Sequence, residues 1–344
     1  MWQITGHEAA IELLDNSLKN DRLSHAYLFV GPAQVGKMTL AINLAQALNC
    51  EKDDKPCGAC SSCQRIMNSQ HADVQVIDLA AGKTEITIDQ IKEAGKTKIS
   101  TDQIKDLEHY ASLKPFEGRS RVFIIANSEL MSSEAANRLL KTLEEPPPFV
   151  HIILLSTSEK AILSTIRSRC QMLELRPIAI SAIEKALIEH HGAKTEEAHI
   201  LARLSSGCMG WAVQASDNAD SIMHRKELLE TLVSIAKADR LEKFSYSASM
   251  ASQFSKNRAE VQKLLSLWIS WWRDLLLIKG NCREMITNID HQETLFREEV
   301  YYDIIDIRNF IISLIQAGML LKNNANPRLV LDVLILGMPK RKGC

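Results

Sequence analysis

The chain has 344 residues, 46% of them hydrophobic, with 41 Lys and Arg against 42 Asp and Glu. That is enough chain for two or three domains with cores of their own, and a net charge of −1 excludes a globally cationic nucleic-acid binder, leaving a local patch or partner chains for any such contact. The N-terminus, Met1-Trp2-Gln3-Ile4-Thr5-Gly6-His7-Glu8, lacks a basic region followed by an apolar core, and no apolar run approaches the roughly 18 residues of a membrane span, so the reading is a cytoplasmic protein with no membrane contact.

Residues 8–22 place Ala9, Ile11, Leu13, Leu14 and Leu18 at helical spacing. His25-Ala26-Tyr27-Leu28-Phe29-Val30 then reads as a strand entering Gly31-Pro32-Ala33-Gln34-Val35-Gly36-Lys37-Met38-Thr39, the layout of a phosphate-binding loop. In a working loop of this kind the backbone N–H groups cradle phosphates, Lys reaches the β- and γ-phosphates, and the hydroxyl residue after Lys binds Mg²⁺. Met38 stands at that last position. A thioether suits a hard cation poorly, and Thr39 is turned about 100° around the helix. Gly31, Gly36 and Lys37 remain as candidates for holding ATP, ADP or an anion, and no Mg²⁺ site is expected.

The following helix ends at the first of four clustered cysteines. Cys50, Cys57, Cys60 and Cys63 have the spacing C-x₆-C-x₂-C-x₂-C in a polar, irregular segment. Such thiolates can close a tetrahedral Cys₄ site whose metal folds a loop too polar to fold alone. Structural zinc is the favoured reading; an iron–sulfur centre and free thiols are the alternatives. Cys170, Cys208, Cys282 and Cys344 are scattered singly, so no disulfide framework is expected.

Val74–Asp78 alternates as a strand. Residues 82–94 and 95–107 then form a short tandem duplication, each copy placing Thr and Asp before an apolar helical pattern. It is read as a slipped insertion in a surface loop rather than a repeated binding element, because two copies are too few for a solenoid. Arg121–Ile125 is the next buried strand. Magnesium-binding acids end such a strand in P-loop ATPases; here Ala126 and Asn127 follow it, and Glu129 lies beyond the usual register, as a solvent-facing or structural residue. Ser132 starts a helix that Glu144-Glu145-Pro146-Pro147-Pro148 stops. A strand at 150–156 and another through Met172–Leu175 complete an alternation of strands and helices that implies a mainly parallel, doubly covered sheet.

Pro177 marks the end of that domain. Beyond it the pattern is helical, with segments at Ser181–His191, Glu196–Leu204, Leu228–Ala236, Ala259–Ile278 and Tyr302–Leu321. Trp268, Trp271, Trp272 and Leu275 form a stripe read as helical core or an inter-subunit seam in preference to a base-stacking surface. Asn326 and Pro327 read as cap and first turn of a helix, and Lys340-Arg341-Lys342 as a frayed, solvated tail.

Taken together these residues resemble the bacterial clamp-loader subunits of DNA polymerase III, most closely the delta-prime members. The resemblance rests on His25–Phe29, the four-cysteine module, Glu134-Ala135-Ala136-Asn137, Leu139–Pro147, Ser168-Arg169-Cys170 and Asn324–Leu329, and covers nearly the whole chain. It implies an α/β P-loop AAA+ domain at 1–176 with a zinc module inserted at 50–63, a small helical lid domain at 177–219, and an all-α collar or oligomerisation domain at 220–344. It further implies that the motif Ser168, Arg169, Cys170 offers Arg169 as an arginine finger to a neighbouring subunit's nucleotide. The motif aside, Arg169 reads as pairing with a nearby carboxylate.

Active ATPase members carry Thr after the loop Lys, an Asp-Glu pair after the second strand and an Arg in the lid; here stand Met38, Ala126-Asn127 and Gly210. The implied protein is a non-hydrolysing, delta-prime-like subunit. It joins tau/gamma ATPase and delta subunits in a heteropentamer that loads the sliding clamp on primed DNA. Within the polymerase holoenzyme it has no intrinsic activity of its own. The alternatives are an ATP-hydrolysing tau/gamma-like motor and a zinc-dependent DNA-binding or repair module. The 82–94 copy has no counterpart in the family pattern and reads as the insertion.

Overall fold

The computed structural model describes residues 2–78 and 99–342. The chain divides into two compact units, Met1–Ala186 with Gly207–Trp211, and Leu187–Ser206 with Ala212–Cys344.

The first unit is built on five strands, β1 (Ala26–Val30), β2 (Val74–Ile77), β3 (Arg121–Ile125), β4 (Val150–Ser156) and β5 (Gln171–Glu174), in the order β2-β3-β4-β1-β5. Every pairing is parallel. Alternation along the strands sends side chains to two faces, and both faces are covered, as a parallel sheet requires. One core holds Leu28, Phe123, Ile125, Ile152 and Leu154. It is covered by α4 (Thr101–Ser112), α5 (Ser133–Glu144) and the single turn α6 (Ser164–Arg167), which contribute Ile104, Leu107, Leu139, Leu143 and Ile166. The other core holds Tyr27, Phe29, Val122, Ile124, Ile153 and Leu155 beneath α1 (Glu8–Lys19) and α2 (Lys37–Asn49), which supply Leu14, Leu40 and Leu44. The short helix α3 (Ser61–Met67) follows the cysteine loop.

Local sequence explains the helix starts. Ser132 accepts the Ala135 N–H at 3.1 Å. Ser100 and Gln103 form a reciprocal capping box at the start of α4, so Ser100 is the cap and Thr101 the first helical residue. The 82–94 copy of the duplication, and residues 95–98 of its echo, lie outside the described residues.

Beyond the sheet the chain is helical, with α7 (Ile180–His191), α8 (Thr195–Leu204) and α9 (Met209–Asp217). The second unit adds α10 (Ala219–Lys237), α11 (Arg240–Lys256), α12 (Arg258–Lys279), α13 (Gln292–Glu299), α14 (Ile304–Lys322) and α15 (Pro327–Leu336). Asn326 caps α15, its side-chain oxygen accepting from Arg328 and Leu329. The tryptophan stripe of α12 is core: Trp268, Trp271 and Trp272 are 0%, 2% and 1% exposed, and Trp272 meets Tyr302 and Phe310 edge-on at about 5 Å. No base could stack on those rings.

α14, legible in the sequence as the helical segment Tyr302–Leu321, is long and apolar enough by length and composition to cross a membrane, but Asp306 and Arg308 interrupt its apolar run, and Ile307, Phe310, Leu314, Ala317 and Leu321 turn inward to the core. One expectation for this unit is corrected. The C-terminal tail is not frayed as far as Lys342. Arg341 stacks on the Tyr301 ring at 3.6 Å and lies 3.5 Å from Glu298, and Lys342 donates its backbone N–H to the Tyr301 carbonyl and pairs with Asp303.

Candidate functional site

The glycine-bounded loop leaves the carboxyl end of β1 and enters α2, the place where an open parallel sheet presents its ligand site. Its glycines have separate reasons. A Cβ on Gly31 would sit 2.2 Å from the Leu175 carbonyl oxygen, and Gly36 has φ +118°, where other residues are strained. Lys37 turns back on the loop: its Nζ donates to the Gly31 carbonyl at 2.6 Å and the Pro32 carbonyl at 2.7 Å. Burial lowers the pKa of this ammonium, with Glu129 and Cys208 pulling the other way.

Two further loop carbonyls are tied as well. His7 Nε2 lies 2.9 Å from the Val35 carbonyl oxygen, and the Gly210 N–H donates to the Gln34 carbonyl at 2.9 Å. Gly210, at the start of α9, packs so closely that a Cβ there would lie 2.8 Å from the Gln34 oxygen. Met38 packs against the α1/α2 core, and Thr39 is exposed. Beside the loop, the buried Ala126 donates its N–H to Ile77, and Asn127 spends its amide on Asp78 at 2.9 Å. Glu129 accepts from the Thr157 N–H and hydroxyl at 3.2 and 2.7 Å, a structural contact at the end of β4.

Ser168, Arg169 and Cys170 lie elsewhere. They follow α6 and precede β5, whose Gln171 pairs with Tyr27 at the beginning of β1. Because β1 and β5 are parallel, this motif and the phosphate-type loop occupy opposite ends of the sheet. Cys170 packs against the core and burial pushes its thiol pKa up to about 12. Ser168 is exposed, and the half-exposed Arg169 donates through Nη1 to the Thr165 carbonyl at 2.8 Å and Ser168 Oγ at 3.2 Å. Its Nη2 lies 2.7 Å from Glu144 Oε1. The carboxylate partner is therefore real, and sequence reading missed which residue it was. Glu144-Glu145-Pro146 is legible in the sequence as a helix stop and as part of the family pattern, with no sign of Arg169.

The four cysteines do converge. Cys50 ends α2, Cys60 caps α3, Cys63 lies in its first turn, and all four sulfurs fall within 4.8 Å of one another. A tetrahedral site with Zn–S bonds of about 2.3 Å places its sulfurs about 3.8 Å apart; Cys57 Sγ and Cys63 Sγ are 4.0 Å apart. The Ala59 and Cys60 amides pull the Cys57 thiol down to about 6, as suits a ligand thiolate, whereas burial raises Cys63. Gln46 anchors the module by donating to the Cys63 carbonyl at 2.9 Å. The cluster is compatible with a structural zinc held entirely by protein ligands, with no position left for substrate.

A parallel sheet ordered β2-β3-β4-β1-β5, a P-loop after β1, a Cys₄ insert and a helical C-terminal unit define an AAA+ protein with a zinc-type module. Residues 6–179 match the family described as DNA polymerase III, delta subunit. The chain belongs to that family and is a clamp-loader subunit of DNA polymerase III. It is 28% identical to DNA polymerase III subunit delta' of Bacillus subtilis over 95% of this chain and 94% of that one. It is also 28% identical to subunit tau of the same organism over 97% of this chain, and 34% identical to subunit tau of Escherichia coli over 63% of it. The chain spans only 60% and 32% of the lengths of those two tau subunits.

Proposed function

We propose that this chain is a non-hydrolysing, delta-prime-like clamp-loader subunit that completes a neighbouring subunit's ATP site in trans with Arg169, and thereby helps load the sliding clamp on primed DNA. The single observation that carries the reading is the separation of Lys37 and Arg169 to opposite ends of the sheet. The loop's own chemistry agrees: Met38, Ala126, Asn127 and Gly210 supply neither a metal ligand, nor a base, nor a cation, and Lys37 is engaged by loop carbonyls. A guanidinium aimed at a transferred phosphoryl is worth about 10³–10⁵ in rate. That contribution is made to another chain's nucleotide.

In this reading residues 1–176 act as the AAA+ domain, 177–219 as the lid and 220–344 as the collar that meets tau/gamma and delta partners in a cytoplasmic heteropentamer. The zinc at Cys50, Cys57, Cys60 and Cys63 is structural, and the degenerate loop of Gly31, Gly36 and Lys37 serves as scaffold. A tau/gamma-like motor is the second reading, favoured by the similar identity to tau subunits.

Reconstitution with the ATPase and delta subunits separates the two. Arg169→Ala should lower ATP turnover of the assembly, and the purified chain should release no phosphate from ATP. Turnover by the chain alone that disappears on Lys37→Ala would establish the motor reading instead.

A further inference from the structure

We propose that Glu144 is a positioning residue, the resting counter-ion of Arg169, which holds the guanidinium until a neighbour's phosphate displaces it; this rests on Arg169 being the finger. Two segments distant in sequence make the pair. Glu144 is the last residue of α5, cut off by the prolines that follow, and Arg169 comes just after α6, which packs on α5. Both lie at the amino end of the sheet, Glu144 ahead of β4 and Arg169 ahead of β5.

The guanidinium is fully oriented in this state. Nη2 pairs with Glu144 Oε1 at 2.7 Å, while Nη1 is fixed by the Thr165 carbonyl and Ser168 Oγ. The negative carboxyl end of the α5 dipole adds to the attraction. The neighbouring Arg167 has its own partner, Glu159 at 2.6 Å, so Glu144 is not shared between the two arginines.

Exposure decides the strength. The Arg169 and Glu144 side chains are 35% and 50% exposed, so water screens the pair, and such pairs are weak. A weak pair suits a resting contact, since it orients the arginine yet yields to a polyphosphate, which carries more charge than one carboxylate and accepts a guanidinium bidentately. Glu144 and the nucleotide then compete for the same Nη2 atom. Removing the carboxylate should tighten the apparent grip on ATP, whereas a purely structural salt bridge would change stability alone.

The test uses the reconstituted clamp loader, measuring phosphate release against ATP concentration with the wild-type chain, Glu144→Gln, Glu144→Asp, Arg169→Ala and the double variant. Glu144→Gln should lower half-saturating ATP about two- to fivefold, the range an exposed ion pair supports, with maximal turnover retained. Glu144→Asp should return toward wild type, and Glu144→Gln should have no effect on the Arg169→Ala background. An unchanged half-saturation, or the same shift with and without Arg169, overturns the proposal while leaving the finger intact. If Arg169→Ala leaves turnover unchanged, the finger reading itself fails and the resting pair falls with it.

Discussion

Lys37 and Arg169 belong to opposite ends of the same two parallel strands. Tyr27 pairs with Gln171 and Val30 with Glu174, so the strands run roughly 10 Å between the level where Arg169 enters and the level where the loop to Lys37 leaves. The loop and the Arg169 motif therefore leave the sheet at opposite ends. In the assembled loader the arginine's fork geometry should therefore matter to a partner's site: Arg169→Lys keeps the charge but loses the bidentate fork, and turnover should fall nearly as far as with Arg169→Ala. Full activity of the Lys variant in a phosphate-release assay would show that only charge is required there.

The loop itself should resist repair. Met38→Thr restores one oxygen ligand, yet Lys37 stays tied to Gly31 and Pro32, and Ala126 and Asn127 still offer no acid. ATP with Mg²⁺ should therefore leave the melting temperature of this variant unmoved, because only a ligand that binds the folded state raises it. Gly210→Arg, which introduces the lid arginine that the resemblance implies for active members, should instead destabilise the first unit. Its Cβ would meet the Gln34 carbonyl at 2.8 Å, and overpacking of this kind costs about 1–3 kcal/mol. A denaturant midpoint equal to wild type would refute the close approach.

Metal analysis should find one zinc per chain, with the metal lost on Cys60→Ser and retained on Cys208→Ser or Cys282→Ser. Because the loop from Cys50 to Cys60 is polar and its four sulfurs converge, chelation should raise amide exchange across residues 50–60 while leaving β3 and β4 protected. Retention of stoichiometric zinc by Cys60→Ser would exclude the four-thiolate site.

Sequence and structure agree most closely where a local rule governs a segment. The strands at 121–125 and 150–156 were legible as short, nearly continuous apolar runs, as burial on both faces of a parallel sheet demands, the helix at 195–204 by its 3.6-residue period, and the helix at 327–336 by its Asn326-Pro327 start. The four-cysteine site was legible for a different reason, since thiolate spacing encodes its own geometry. Contacts between distant segments were not. Nothing local to Glu144 announces Arg169, and nothing in Lys340-Arg341-Lys342 announces Tyr301, Glu298 and Asp303, because each pair joins segments distant in the chain that only the fold brings together. The family motif indicated that Arg169 mattered; only the fold separated it from the P-loop of its own chain.

Asp73, which the sequence did not single out, should be the most costly polar residue to lose. It is fully buried and accepts the amides of Phe116, Glu117 and Gly118 at 2.7 to 2.9 Å, together with Arg121 Nη2 at 3.0 Å, pinning the loop before β3 against the start of β2. Burial raises its pKa, but the three amides and the guanidinium outweigh burial and leave it below the usual 3.8. A carboxyl depressed in the folded state adds stability at pH values above its unfolded pKa. That stability is lost as pH falls through the folded value. Asp73→Ala leaves the buried Arg121 without its counter-charge, held only by the Tyr110 and Lys114 carbonyls, and removing one partner of such a pair costs about 3–5 kcal/mol. Near neutral pH urea unfolding should show that loss in full, and the gap between variant and wild type should begin to narrow below about pH 4 and shrink further as pH falls through the lower folded pKa. A gap that stays constant down to acid would mean the carboxylate's charge contributes nothing, and the cost would then belong to packing alone.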